Sequence, residues 1–128
     1  MLIDDDIDDN FFHEREIKKN NPANTVITKT TGEEALTYLR LRKDHHDIQP
    51  DLIFLDINMP GMTGWEFLDE YAQLDKDNQS IAIIIMLTTS DYSDDKDKSK
   101  DYQAVSDYII KPLTKDKLED ICTKFLHE

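Results

Sequence analysis

Asp4-Asp5-Asp6, Asp56, Thr88 and Lys111 each follow directly on an apolar run: Met1–Ile3, Leu52–Leu55, Ile83–Leu87 and Tyr108–Ile110. Apolar runs this short and this rich in Ile and Leu read as buried strands. If the strands are parallel, their C-terminal ends open on one edge of the sheet, where α/β proteins bind ligands. Residues about a hundred positions apart then converge as carboxylates, one hydroxyl and one ammonium. That set can hold a divalent cation and a phosphoryl group together.

Transfer of a phosphoryl group to a carboxylate needs a nucleophile, a cation to offset charge repulsion, and donors for the equatorial oxygens. Mg²⁺ takes about six oxygens and usually keeps several waters. Asp5 and Asp56 can supply carboxylates, a backbone carbonyl just past Asp56 a third ligand, and Asp4 a hold on a coordinated water. The compact Lys111 cation suits one phosphoryl oxygen, and the Thr88 hydroxyl suits another. Asp56 is the best nucleophile, because a strand end exposes it to a donor.

Each signal alone has a plainer reading. An acidic run such as Asp4–Asp9 commonly begins a helix, where the dipole favours negative charge, and Asp8 is read that way. A calcium loop built on Asp4, Asp6 and Asp8 fails, since its sixth position is Asp9 rather than Gly and its twelfth is Arg15 rather than Glu. Thr88 alone is a strand-end hydroxyl, and Lys111 before Pro112 a turn lysine. Their order at successive strand ends is what makes them one site.

The positioning elements alternate. A helix is expected from about Asp8 to Asn20, closed by Asn21-Pro22, although Phe11, Phe12 and Ile17 make no clean stripe. Thr25–Thr30 reads as a strand. Thr31-Gly32-Glu33-Glu34 reads as a capping box, the Thr31 hydroxyl and Glu34 carboxylate meeting free amides, before a helix with Ala35, Leu36 and Leu39 inward. Asp51–Asp56 is a strand buried on both faces. Thr63–Glu66 repeats the capping box before Phe67, Leu68, Tyr71 and Leu74. Ile81–Leu87, the most apolar strand, belongs near the centre. Asp91–Asp101 is almost wholly charged and reads as a weak, solvated fourth helix or a mobile loop. Ser106–Ile110 is the last strand. Leu113 and Leu118 flank an N-cap at Thr114, and Leu118, Ile121, Cys122, Phe125 and Leu126 form a helical stripe. Five strands alternating with five helices specify an α/β, doubly wound parallel sheet in one domain, residues 1–128.

Composition narrows the function. With 128 residues, 28 acidic against 15 basic side chains and a net charge of −13, the chain is unsuited to gripping nucleic acid or an anionic membrane. No apolar run approaches the ~20 residues of a membrane span, and no signal-peptide pattern precedes the first strand. A single cysteine, Cys122, allows no internal disulfide and suits a reducing cytoplasm. Its place on the last helix's stripe predicts a buried structural thiol.

Ile3-Asp4-Asp5-Asp6, Pro50-Asp51-Leu52-Ile53-Phe54-Leu55-Asp56-Ile57-Asn58-Met59-Pro60 with Gly64, Leu87-Thr88-Thr89, and Asp107-Tyr108-Ile109-Ile110-Lys111-Pro112 resemble the receiver domain of bacterial two-component response regulators. The resemblance covers essentially the whole chain. It implies a flavodoxin-like sheet in the order 2-1-3-4-5, and Asp56 as phospho-acceptor. It further implies an Mg²⁺ site from Asp4, Asp5, Asp56 and the Asn58 backbone carbonyl. Thr88 becomes the switch hydroxyl, Lys111 the phosphate contact, Tyr108 an aromatic that changes rotamer on activation, and Lys111-Pro112 a cis peptide. The implied partners are a histidine kinase or histidine phosphotransfer protein, docking beside the first helix, and a separate downstream effector.

Some positions depart from the pattern. The first strand offers only three residues before the acid pair, fewer than receivers usually have. His13 and Glu16 stand where the first helix is commonly apolar, Thr89 narrows access to the pocket, and Gly61 adds a second, loosening glycine after Asp56. Two rival classes are weaker. A dehalogenase-like phosphatase needs an Asp-x-Asp motif, whose second acid is here Asn58, and a cap for which the chain has no room. A pseudo-receiver that only binds partners typically lacks an acid that this chain keeps.

Overall fold

The structure, a computed structural model, describes residues 1–45, 50–74, 83–89 and 105–125. Its elements are β1 Leu2–Ile3, α1 Ile7–Asn20, β2 Thr28–Lys29, α2 Gly32–His45, β3 Leu52–Asp56, α3 Gly64–Ala72, β4 Ile83–Thr88, β5 Val105–Ile110 and α4 Lys115–Phe125. The five strands form one parallel sheet in the order β2-β1-β3-β4-β5, as expected. Four helices fall among the described residues; the expected helix of 91–101, the strand start at Ile81 and the stripe residue Leu126 lie outside them. No helix among the described residues is long and apolar enough to cross a membrane.

Alternation along the strands divides the core in two. Ile3, Ile53, Leu55, Ile84 and Met86 face one cluster, with Leu36 and Leu39 of α2 and Phe67, Leu68 and Tyr71 of α3. Leu2, Phe54, Ile85 and Leu87 face the other, closed by Leu113 and by Leu118 and Ile121 of α4. Successive strand side chains point to opposite faces, so unbroken apolar runs are what a sheet covered on both sides requires. β1 is only two residues long, yet it pairs with both neighbours, Leu2 opposite Thr28 and Phe54, Ile3 opposite Lys29 and Leu55.

The helices show where side-chain pattern and packing part. α3 begins with the expected full capping box: Thr63 Oγ1 accepts from the Glu66 amide and Glu66 Oε1 from the Thr63 amide. At α2 only half of the box forms. The Glu34 amide donates to Thr31 Oγ1 at 3.0 Å, but the Glu34 carboxylate accepts the Thr30 and Thr31 hydroxyls rather than an amide. Cys122 is half-buried, not fully buried as its stripe position suggested; it lies at the edge of α4 beside Asn20 of α1. α1 carries Ile7, Phe11 and Phe12 at 71%, 65% and 41% exposure, while its buried side chains are Asn10 and His13. Its inward stripe, continued by the partly buried Ile17, is mainly polar.

The loop after β3 is shaped by two glycines. Gly61 takes φ +77°, a backbone state that favours glycine, so it forms a defined turn. Gly64 donates its amide to Ile57 O at 2.9 Å. A Cβ there would lie 2.6 Å from Asp56 O and 2.9 Å from Ile57 Cα, both backbone atoms that cannot swing away. Gly64→Ala is therefore expected to destabilise the fold by roughly 1–3 kcal/mol, the range of an overpacked interior. It should also shift the amide resonances of residues 56–58; urea unfolding with an amide correlation spectrum checks this, and unchanged stability would contradict the close approach.

Candidate functional site

The acidic turn between β1 and α1 orders its three carboxylates differently. Asp6 is the N-cap of α1, its Oδ1 accepting the amides of Asp8 and Asp9, so it belongs to the helix. Asp4, 2% exposed, uses Oδ1 to accept the Asp6 amide at 2.9 Å and turns Oδ2 inward. Asp5 is exposed at the rim. Asp56 ends β3 at 6% exposure and accepts the Asn58 amide at 3.3 Å. Oxygens of Asp4, Asp5 and Asp56 all lie within 4.8 Å of one another.

Lys111 arrives from the end of β5. Its amide donates to Thr88 O at 2.7 Å, joining the ends of β4 and β5, and its ammonium reaches Asp4 Oδ2 at 2.7 Å and Asp9 Oδ2 at 2.9 Å, with Asp56 Oδ1 at 3.8 Å. Lys111-Pro112 is cis, as expected. Thr88 is fully buried at the end of β4, opposite Ile110, and Tyr108 lies two residues earlier on β5, opposite Met86. Tyr108 is partly buried against the core shared with α2 and α3. The strand ends thus bring together Asp4, Asp5, Asp56, Thr88 and Lys111; Asn58 follows in the exposed loop.

Asp9 and His13 were not among the expected site residues. Asp9 read as part of a helix-start charge run, whereas it is the second carboxylate on the lysine. His13, 2% exposed, accepts the buried Leu113 amide at Nε2. The signal for both was spacing: Asp9 and His13 are four apart on α1, on the face opposite to Phe11, and residues so spaced are neighbours on a helix.

Charge is unbalanced here. Burial first, and then the neighbouring Asp4 charge, push the Asp56 carboxyl up to about 7, against the opposing pull of Lys111 and the Asn58 amide. Burial would lower the Lys111 ammonium, but the hydrogen bonds it donates to Asp4 and Asp9 outweigh that and hold the group above its ordinary range. Several carboxylates around one ammonium, two of them buried, form an all-oxygen donor set of the kind that hard divalent cations take. The cluster therefore fits a hard divalent cation such as Mg²⁺, with Asp4, Asp5 and Asp56 as the carboxylates that would hold it.

Comparison with known proteins agrees with this geometry. Residues 1–123 match the model of the response regulator receiver domain. A two-component response regulator of Cytophaga hutchinsonii is similar in structure, with a TM-score of 0.84 and 31% identity over 99% of this chain and 95% of that one. The chain is 33% identical to the PilH protein of Pseudomonas aeruginosa over 73% of its own length and 69% of the relative's. It is 30% identical to the probable C4-dicarboxylate response regulator DctR of Halalkalibacterium halodurans over 98% of this chain, and it spans 50% of that regulator's length. The chain belongs to the receiver-domain family of two-component response regulators, signalling modules that are generally not enzymes and are phosphorylated by histidine kinases or phosphotransfer proteins.

Proposed function

We propose that Asp56 accepts a phosphoryl group from a phosphohistidine donor and that the acyl phosphate is read out through β5 and α4. The observation that carries this reading is the convergence of Asp4, Asp5 and Asp56 with the Lys111 ammonium and Thr88 at one edge of the sheet. An Asp56 oxygen attacks phosphorus in line; the O–P bond forms as the P–N bond breaks, its electron pair remaining on the donor imidazole. Lys111, already within 3.8 Å of Asp56, moves from Asp4 and Asp9 to a phosphoryl oxygen, and the Thr88 hydroxyl donates to another. Asp4, Asp5, Asp56 and the Asn58 carbonyl would hold Mg²⁺, which when bound would supply positive charge against the repulsion between the carboxylates and the incoming phosphate.

The donor docks beside α1. Ile7, the first residue of α1 after the acidic turn, and Phe11, one turn further on, present apolar surface to solvent. Such exposed apolar side chains mark partner surfaces when they adjoin a site.

Incubation with a small acyl phosphate or phosphoramidate and Mg²⁺, followed by intact mass, tests the chemistry. One phosphoryl group, labile to hydroxylamine and base, is expected; a hydroxylamine-stable product would place it on Ser or Thr and sink the assignment. Drawn toward the phosphate, Thr88 vacates volume into which Tyr108 turns, a local charge change read by a two-state element. Thr88→Ala is accordingly expected to leave Asp56 reactive but to abolish the change in β5 amide exchange that a beryllofluoride mimic produces in the wild type. Equal exchange responses in the two proteins would disconnect Thr88 from the output.

A further inference from the structure

The segment that carries Lys111 is tied down at four backbone groups. Lys117 Nζ of α4 donates to Ile110 O at 2.7 Å and Pro112 O at 3.0 Å, and Thr88 O of β4 accepts the Lys111 amide. The fourth tie, from Leu113 N–H to His13 Nε2 at 3.3 Å, comes from α1. Leu113 is fully buried, and a buried amide left without an acceptor costs far more than the bond gains. On the same face of α1, four residues earlier, Asp9 grips the Lys111 ammonium. One helix therefore holds this lysine twice, by its charge through Asp9 and by its backbone two residues on through His13.

A leucine at position 13 would fill the space and bury more favourably, so packing alone does not explain an imidazole there. An accepting Nε2 requires the neutral tautomer protonated at Nδ1, an atom that is itself buried with no hydrogen-bond partner among the described residues. Burial, and then the nearby Lys111 charge, lower the tendency of His13 to protonate, against the opposing charges of Asp9, Asp4 and Glu16. The neutral, accepting form is thus the one the surroundings favour.

We infer that His13 is a positioning residue: by accepting the Leu113 amide it fixes the backbone that aims Lys111 at Asp56, and so sets the rate at which Asp56 is phosphorylated. The inference rests on the reading of Asp56 as phosphoryl acceptor. Its test compares wild type, His13→Gln and His13→Leu in the full chain, by the rate of phosphoryl addition from acetyl phosphate at saturating Mg²⁺ and by Mg²⁺ affinity. Gln retains an acceptor at the end of its side chain, and its rate is expected within about twofold of wild type; Leu removes the acceptor and should slow addition roughly tenfold, the scale of one lost hydrogen bond. Mg²⁺ affinity, set by Asp4, Asp5 and Asp56, should not fall in any of the three, whereas a merely structural role would lower affinity and rate together. Equal rates for Leu and wild type, or an equal loss for Gln and Leu, would overturn the inference. Where His13→Leu does not fold, ring nitrogen shifts of the wild-type protein decide: the Nδ1–H tautomer supports the tie, and an Nε2–H tautomer refutes it. If wild type gains no phosphoryl group, the Asp56 reading fails, while the tautomer still reports on the His13 tie.

Discussion

Asp56→Asn is expected to abolish phosphoryl addition and, in the same protein, to make the fold more stable. The carboxyl group titrates near 7 in the folded chain against an ordinary 3.8, because it is buried beside Asp4. Between those two pH values the folded state binds more protons than the unfolded one, so stability falls as pH rises through that window. Above about pH 7 the penalty is fully present, and by linkage it amounts to about 4 kcal/mol at most. Asparagine removes the charge but keeps an oxygen to accept the Asn58 amide, and Lys111 keeps its two closest partners, Asp4 and Asp9. Without metal, a gain of roughly 2–4 kcal/mol is therefore expected at pH 8, shrinking to a small fraction of that near pH 4, where wild-type Asp56 is neutral when folded and close to its ordinary midpoint of 3.8 when unfolded. Urea unfolding of both proteins at the two pH values measures it. A variant no more stable at pH 8, or equally stabilised at both, would show that Asp56 carries no stored repulsion. The acceptor is destabilising in the resting protein because its buried carboxylate lies beside that of Asp4, the same crowding of negative charge that suits the cluster to a cation.

Sequence made this site legible through topology. Asp56, Thr88 and Lys111 each end a strand whose apolar run was visible, and a parallel sheet carries such ends to one edge whatever their separation along the chain. β3 and β4 were plain because both their faces are buried, and α3 and α4 because a cap and an apolar stripe marked them. α1 was poorly marked because its buried side chains are Asn10 and His13 while Phe11 and Phe12 face out, the reverse of the usual amphipathic pattern. β2 is narrower than Thr25–Thr30 because only Thr28 and Lys29 find ladder partners on the short β1. The spacing of Asp9 and His13 puts them on one helix face but does not name their partners, Lys111 and Leu113, which lie 102 and 100 residues away. Nothing in the local pattern distinguishes an acid that pairs a distant lysine from one that merely begins a helix.

Removing that lysine's charge exposes the other half of the balance. Lys111→Met keeps an unbranched stem of similar reach but leaves Asp4, whose side chain is 3% exposed, without its ammonium partner. Breaking a buried ion pair by deleting one member costs about 3–5 kcal/mol, since the remaining charge is stranded, and that loss is expected at pH 8 without metal. It should be much smaller near pH 4, where protonation of Asp56 relieves the cluster. Mg²⁺ should restore more stability to this variant than to wild type. Deleting the ammonium removes a positive charge lying within 4 Å of both Asp4 and Asp56, so the carboxylates bind the ion more tightly, and tighter binding to the folded state alone raises stability by mass action. Thermal unfolding across an Mg²⁺ titration distinguishes the outcomes. A parallel rise in the two proteins would mean that Lys111 and the cation do not compete for the same charge, and the assignment of Asp4, Asp5 and Asp56 as one cation site would fall with it.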